Sequence, residues 1–354
     1  MSGWIFANLS KNWGGGEKWT LTTAKALENS GHSVFLLVYP ESQLATQASL
    51  EKIPFLPINA RSQSLLNPFK VWRTFRFFKE SQFEAIILNS SHELKFLGPI
   101  ASFAGIRKVI FRRGIPQALR SNFLNRFYFR KFVNGIILNS QTTLQAMESV
   151  FSTEMSRLQV QVIYNGLDLQ LWKSTIPKQS SKIIGVVGRL SYEKGIDRAL
   201  YVFAKVREQI PEAQLWIVGE GEEGARLKQI SKDLDLLESI RFIGFTESVL
   251  QYMENFDVLL FPSRWEGFGY VLLEAMSLQI PPVSFDISTA REILTQECGV
   301  LVPDDQIEAC AEEIVRLLEN DEFRKEMGKN ARIQVENRFS IAEVVKQMES
   351  FLSQ

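Results

Sequence analysis

Read only for hydrophobic and polar positions, the chain alternates short runs that are apolar throughout with longer stretches patterned for helices. In the first half the apolar runs are GWIFANL, SVFLLVYP, EAIILNS, KVIFRRG and GIILNS, with a helical pattern over 17–29 between the first two. Runs without a polar alternate position predict strands of a parallel sheet covered on both faces. The rhythm breaks at STIPKQSSK, residues 174–182, a polar linker containing proline. It restarts with IIGVVGRL, AQLWIVGEG, IRFIGFT, FDVLLFPS, PPVSF and GVLVP. The pattern predicts an α/β protein of two doubly wound domains, residues 1–171 and 172–338. A closing helix over 339–354 is able to cross back to the first. In such folds ligands bind at the carboxyl ends of the strands, where the strand order reverses.

Composition narrows the class. The 354 residues include 45% hydrophobic and 23% charged positions, ordinary for an ordered globular chain. Two cysteines, Cys298 and Cys310, make no disulfide framework and no metal-ligand spacing, and point to a reducing setting. No run approaches the roughly 18 apolar residues of a membrane span, and no basic start or cleavage site brackets the first apolar run. The expectation is a cytoplasmic protein, at most peripheral on the inner face of the cell membrane.

Charge changes this picture. The formal net charge is zero, yet residues 1–170 carry 19 Lys and Arg against 10 Asp and Glu. Part of that excess lies in NPFKVWRTFRFFKESQF, residues 67–83. There a helix would place Val71, Trp72, Phe75 and Phe78 on an inward face and Lys70, Arg73, Arg76 and Lys79 on the other, with Phe69 and Phe77 among them. NFLNRFYFRKF, residues 122–132, has the same flavour. Cations interleaved with aromatics suit an anionic membrane surface. No nucleic-acid module is present, so no nucleic-acid partner is expected.

The chemistry-bearing motifs sit where strands end. Gly14, Gly15 and Gly16 follow the first strand and open a helix, bringing backbone N–H groups close to a phosphate or sugar. They do not form the Gly-x-Gly-x-x-Gly dinucleotide pattern. In GVVGRLSYEKGID, Gly188 and Arg189 leave a strand and Lys194 precedes Gly195. One forked and one point cation can hold a diphosphate. Gly219 and Gly221 end the next strand. In SRWEGFGYVLLEAMS, Glu266 precedes a glycine turn, Gly269, Tyr270 and Val271 open a helix, and Glu274 lies inside its otherwise apolar first turns. A buried carboxylate there needs a partner, in the protein or in a ligand. Taken alone, the two carboxylates also fit a glycoside hydrolase.

Together, GGGEKWTLTTAKALENSGHSV, VIYNGLDLQLW, GRLSYEKGID and EGFGYVLLEAM resemble the motifs of retaining glycosyltransferases of family 4, with the Glu-x7-Glu pair as Glu266 and Glu274. The resemblance covers nearly the whole chain and implies the GT-B arrangement, two Rossmann-like domains facing across a cleft. It implies a nucleotide diphosphate sugar donor, UDP- or GDP-linked, a glycan or lipid-linked acceptor, and no cofactor or metal. By the same resemblance, Arg189 and Lys194 stabilise the leaving diphosphate, with Gly188, Gly219 and Gly221 in the turns beside them. Gly269, Tyr270 and Val271 add backbone donors, Glu274 holds the ribose, and Glu266 holds the donor sugar. Gly15 and Gly16 close over the phosphates. One departure stands out: where relatives read His-Gly, this chain reads VIFRRGIP, with Arg113 before Gly114. Arg113 could meet the donor or an acidic group of the acceptor. His92, after IILNSS, lines the acceptor side or caps the surface, while His32 is structural. The rival readings are another GT-B activity, such as a nucleotide-sugar epimerase or a phosphorylase, and a non-catalytic sensor of nucleotide sugars.

Overall fold

A computed structural model describes residues 3–117, 119–173 and 181–353. Most of the expected linker, residues 174–180, lies outside the described residues. The chain forms two compact units, one of Met1–Gly166 with Ile341–Gln354 and one of Leu167–Ser340.

In the first unit the order is β1 (Gly3–Asn8), α1 (Gly15–Asn29), β2 (Ser33–Val38), α2 (Gln43–Leu50), β3 (Phe55–Pro57), α3 (Pro68–Glu80) and β4 (Ala85–Leu88). It continues with α4 (Ser91–Ala104), β5 (Lys108–Arg113), α5 (Phe123–Phe132), β6 (Gly135–Leu138), α6 (Gln141–Met155) and β7 (Gln159–Val162). All pairings are parallel and the sheet order is β3-β2-β1-β4-β5-β6-β7. The strands bury both faces, as their unbroken apolar runs require. One face packs Ile5, Ile86 and Phe111 against Leu97, Phe129 and Phe151 of α4 to α6. The other packs Phe6, Val34 and Ile110 against Trp19 of α1 and the last helix.

The second unit runs β8 (Ile183–Val187), α7 (Ile196–Gln209), β9 (Gln214–Val218), α8 (Gly224–Asp233), β10 (Ile240–Gly244), α9 (Leu250–Met253) and β11 (Val258–Phe261). Then come α10 (Tyr270–Ser277), β12 (Pro282–Phe285), α11 (Ser288–Ile293), β13 (Val300–Val302), α12 (Ile307–Glu319) and α13 (Asp321–Arg338). Its parallel sheet is ordered β10-β9-β8-β11-β12-β13. The last helix, α14 (Ile341–Ser353), belongs to the first unit. Val344, Met348 and Phe351 enter that core, Lys108 Nζ donates to the Leu352 carbonyl at 2.5 Å, and Glu349 meets His32 Nε2 at 2.8 Å. His32 also stacks on Trp4, with ring centroids 4.2 Å apart.

Two details differ from the periodicity reading. The inward side of α3 is built by Thr74 and Phe78 with the expected Val71 and Phe75 packed against the core beside them; Phe77 joins that side, leaning on Phe35, whereas Trp72 is 54% exposed beneath Arg76. A helix packing on a narrow stripe turns a residue one position off that stripe into solvent. On α5, Arg126 and Arg130 are not free surface cations, since both bind the buried Glu154 carboxylate, at 2.7 and 2.8 Å.

Candidate active site

In the second unit the strand order reverses between β8, which leads to β9 and β10, and β11, which leads to β12 and β13. The two adjoining strand ends open a crevice in folds of this kind, and the residues singled out above lie in the two loops that leave it. After β8, Arg189 is exposed and donates to Glu193 Oε1 at 2.6 Å, one helical turn on. Lys194 closes a short 3-10 turn, and its ammonium donates to the Glu266 carboxylate from the loop after β11. Both side chains of this pair are mostly buried. The two loops are in backbone contact: Gly195, at φ +62°, would bring a Cβ to 2.1 Å from the Pro262 carbonyl.

Arg264 and Asp197, which sequence reasoning missed, lock this contact. The Arg264 guanidinium forks onto both Asp197 oxygens at 2.8 and 2.9 Å, donates to the Tyr192 carbonyl and lies 4.2 Å over the Tyr192 ring. The Arg264 backbone N–H adds a bond to the Glu193 carbonyl at 2.9 Å. Burial works against charge on Asp197, but the Arg264 hydrogen bonds outweigh it and hold the carboxyl below its ordinary range. A signal did exist, since both residues stand inside the quoted motifs, Arg264 in SRWEG and Asp197 in KGID.

The glycines have backbone reasons of their own. A Cβ at Gly219, where φ is +140°, would sit 1.9 Å from the Gly188 carbonyl, and one at Gly221 would sit 2.4 Å from that of Leu190. The end of β9 thus lies directly on the loop that carries Arg189. Gly269, at φ +86°, precedes α10, whose N-terminus has no side-chain cap; Tyr270 and Val271 are its first residues, and Glu274 is buried one turn in. Backbone N–H groups at such a terminus suit an anion.

The first unit repeats the device with other chemistry. Its order reverses between β1 and β4, and there a cavity of about 530 Å³ is lined by Asn8, Gly16, Asn89, His92, Glu93 and Arg113, among others. Gly15 and Gly16 open α1, and a Cβ at Gly16 would meet nothing nearer than Asn8 at 4.0 Å. Glu93 ties the loops together, accepting from the backbone N–H groups of Leu9, Asn89 and Ser90 at 2.9, 2.6 and 3.0 Å. Burial pushes its carboxyl up to about 7, and those donors pull the other way. His92 is exposed in the first turn of α4, with Nδ1 2.9 Å from Ser62 Oγ. Arg113 donates from Nε and Nη2 to the Gln117 carbonyl at 2.9 and 2.7 Å, and burial lowers the pKa of its guanidinium.

Comparison with known families assigns these units. The model for glycosyltransferase family 4 matches residues 13–171, and that for glycosyl transferases group 1 matches residues 170–334. The chain is a GT-B glycosyltransferase. This enzyme is 26% identical over 346 residues to an uncharacterized glycosyltransferase of Haemophilus influenzae, covering 96% of each chain. It is 29% identical over 229 residues to the N-acetylgalactosamine-N,N'-diacetylbacillosaminyl-diphospho-undecaprenol 4-alpha-N-acetylgalactosaminyltransferase of Campylobacter jejuni, covering 63% of this chain and 61% of that one. Its fold matches the crystal structure of Anabaena HepE in complex with UDP over all of both chains, at a TM-score of 0.83 and 22% identity. Among the described residues of the transferase, no helix is long and apolar enough to cross a membrane.

Proposed function

We propose that the enzyme is a retaining transferase that moves a sugar from a UDP- or GDP-linked donor to a hydroxyl of a lipid-linked or cell-surface glycan, without a metal or cofactor. The observation that carries this reading is the Lys194–Glu266 pair at the strand-order reversal of the second unit, framed by glycine turns that only a close-packed backbone explains. A mostly buried ammonium whose partner is a carboxylate on an adjacent loop is poised to exchange that partner for a phosphate. The UDP complex of HepE, a protein of the same fold, supports a nucleoside diphosphate as the occupant.

In this mechanism Arg189 and Lys194 face the diphosphate, and the N–H groups of Gly269, Tyr270 and Val271 complete its shell. Glu274 accepts from the ribose hydroxyls. Glu266, released from Lys194, holds hydroxyls of the donor sugar. The bond from the anomeric carbon to the phosphate oxygen breaks with its electron pair leaving on phosphate. The acceptor oxygen bonds the same face of that carbon, and its proton passes to the departing phosphate oxygen. The cations act by stabilising charge that grows as the bond breaks. Removing one such contact costs about two to three powers of ten in turnover. Lys194→Ala is therefore expected to lose about that much nucleoside diphosphate release while still unfolding cooperatively, at a lowered melting point because Glu266 loses its partner; near-wild-type turnover would remove Lys194 from this role.

An anionic membrane surface is the proposed location of the acceptor. Six exposed large apolar residues of the first unit lie on three helices packed in series, α3 against α4 and α4 against α5. Phe69 is 70% exposed, Phe103 72% and Phe123 85%, with Trp72 and Phe127 beside them and Arg73, Arg76 and Lys79 on the same side of α3 as Phe69 and Trp72. Aromatics of this kind insert at the headgroup level while cations meet anionic lipids. Flotation with phosphatidylglycerol vesicles at low salt is expected to carry the protein. Failure to float, or flotation unchanged in Phe69→Ser/Trp72→Ser, counts against it.

A further inference from the structure

We propose that the cavity at the strand-order reversal of the first unit takes an acidic group of the acceptor, a phosphate or a carboxylate, with Arg61 and Arg113 as its cationic contacts. The proposal rests on the transferase reading and adds to it the chemical class of the acceptor.

Three observations lead here. First, the half-buried cation of the cavity, Arg113, has a neutral partner. Arg113 spends two donors on the Gln117 carbonyl, and among the described residues no carboxylate lies within ion-pair distance of Arg113 or of Arg61. A half-buried guanidinium with only carbonyl partners keeps unused, charge-assisted donor capacity aimed at an anion. Second, the neighbouring wall is built to carry positive charge. Arg112 is buried with its guanidinium 3.7 Å from the centroid of the Trp19 ring and donates to the amide oxygens of Asn89 and Asn165 at 3.1 and 2.8 Å. The guanidinium also runs close under Gly114, where a Cβ would meet Arg112 Nη1 at 2.8 Å. Third, the buried carboxylate of the wall is occupied. Glu93 is held by three backbone N–H groups, while the other acidic residue of the lining, Glu17, lies in the first turn of α1. There the helix dipole offsets its charge.

The volume, about 530 Å³, is that of a small-ligand site. His92 keeps Nε2 available at the rim while Nδ1 meets Ser62. The guanidinium fork matches the geometry of a carboxylate or a phosphate, which a neutral hydroxyl does not.

The test measures calorimetric binding of inorganic pyrophosphate, D-glucuronate and neutral D-glucose to the full chain carrying Arg189→Gln and Lys194→Gln. That background removes the candidate cationic contacts of the second unit and leaves only the backbone N–H groups that open α10. One of the two anions is expected to bind, and Arg61→Gln or Arg113→Gln added to the background should weaken it about tenfold, the effect of a lost charge-assisted hydrogen bond, with glucose unaffected. Tighter pyrophosphate identifies a phosphate-bearing acceptor, and tighter glucuronate a uronate-type one. No anion binding in that background, or binding untouched by either arginine change in variants with the parent melting curve, overturns the proposal. Donor hydrolysis by the wild-type chain is read in parallel. Hydrolysis without first-unit anion binding removes the pocket alone, and anion binding without hydrolysis removes the transferase reading alone.

Discussion

The two strand-order reversals of this enzyme are built on one plan and charged on opposite principles. In the second unit the cations around the crevice are matched to carboxylates: Lys194 to Glu266, Arg189 to Glu193, Arg264 to Asp197. In the first unit Arg113 of the cavity leans on a carbonyl and Arg112 on two amides, and the buried carboxylate, Glu93, leans on backbone N–H groups. Internal pairing keeps a site intact when empty, at the cost of exchanging partners when a ligand arrives. Neutral pairing leaves charge to be met by the ligand itself. The glycines follow the same division. Gly195, Gly219 and Gly221 of the second unit hold backbone on backbone, at 2.1, 1.9 and 2.4 Å from a would-be Cβ, whereas Gly16 of the first faces open space.

The largest expected effect comes from breaking the contact that the second site depends on. Gly195→Ala forces a side chain into a left-handed conformation, which costs about 1–2 kcal/mol, and drives its Cβ into the Pro262 carbonyl, which adds about 1–3 kcal/mol. Chemical denaturation of the full chain should show a loss of about 2–5 kcal/mol, accompanied by weaker nucleoside diphosphate binding as Lys194 and Glu266 separate. Wild-type stability together with wild-type affinity would mean that the two loops are not held by this contact, and the comparison between the sites would lose its basis.

How far the molecule was legible follows from the same physics. The strands with unbroken apolar runs, from GWIFANL to GVLVP, announced themselves because burial on both faces leaves no alternate polar position. β3 and β7 did not. FLP is three residues long with a proline, QVQV alternates, and both are half-buried edge strands, so neither carries the central-strand pattern. At the site, Lys194 and Glu266 were readable as separate motifs 72 residues apart, while their pairing was not, because it depends on β8 lying beside β11. Arg264 and Asp197 were hidden for the same reason. Trp72 was misplaced since helical period alone does not say how wide the buried stripe is. Glu93 carried a legible signal in Ser-x-x-Glu, the capping box of α4, yet its reach to Leu9 across the sheet has no trace in local sequence.

Glu93 also sharpens the comparison through pH, with a smaller effect. Its carboxyl is raised to about 7 by burial, against the pull of Leu9, Asn89 and Ser90, while an unfolded glutamate titrates near ~4.3. A raised folded-state pKa means that folding favours the protonated form. The group's contribution is therefore fully present below about pH 4 and is lost as pH rises through about 7, a change on the order of 4 kcal/mol. Glu93→Gln cannot titrate, so the stability of the wild type relative to this variant should fall steadily between those limits when denaturation is followed at stepped pH. A constant difference would mean that the three N–H donors win and the carboxylate stays ionised throughout. The first site would then be anion-stabilised by backbone dipoles much as the second is stabilised by its ion pairs, and the division between the two would rest on the arginines alone.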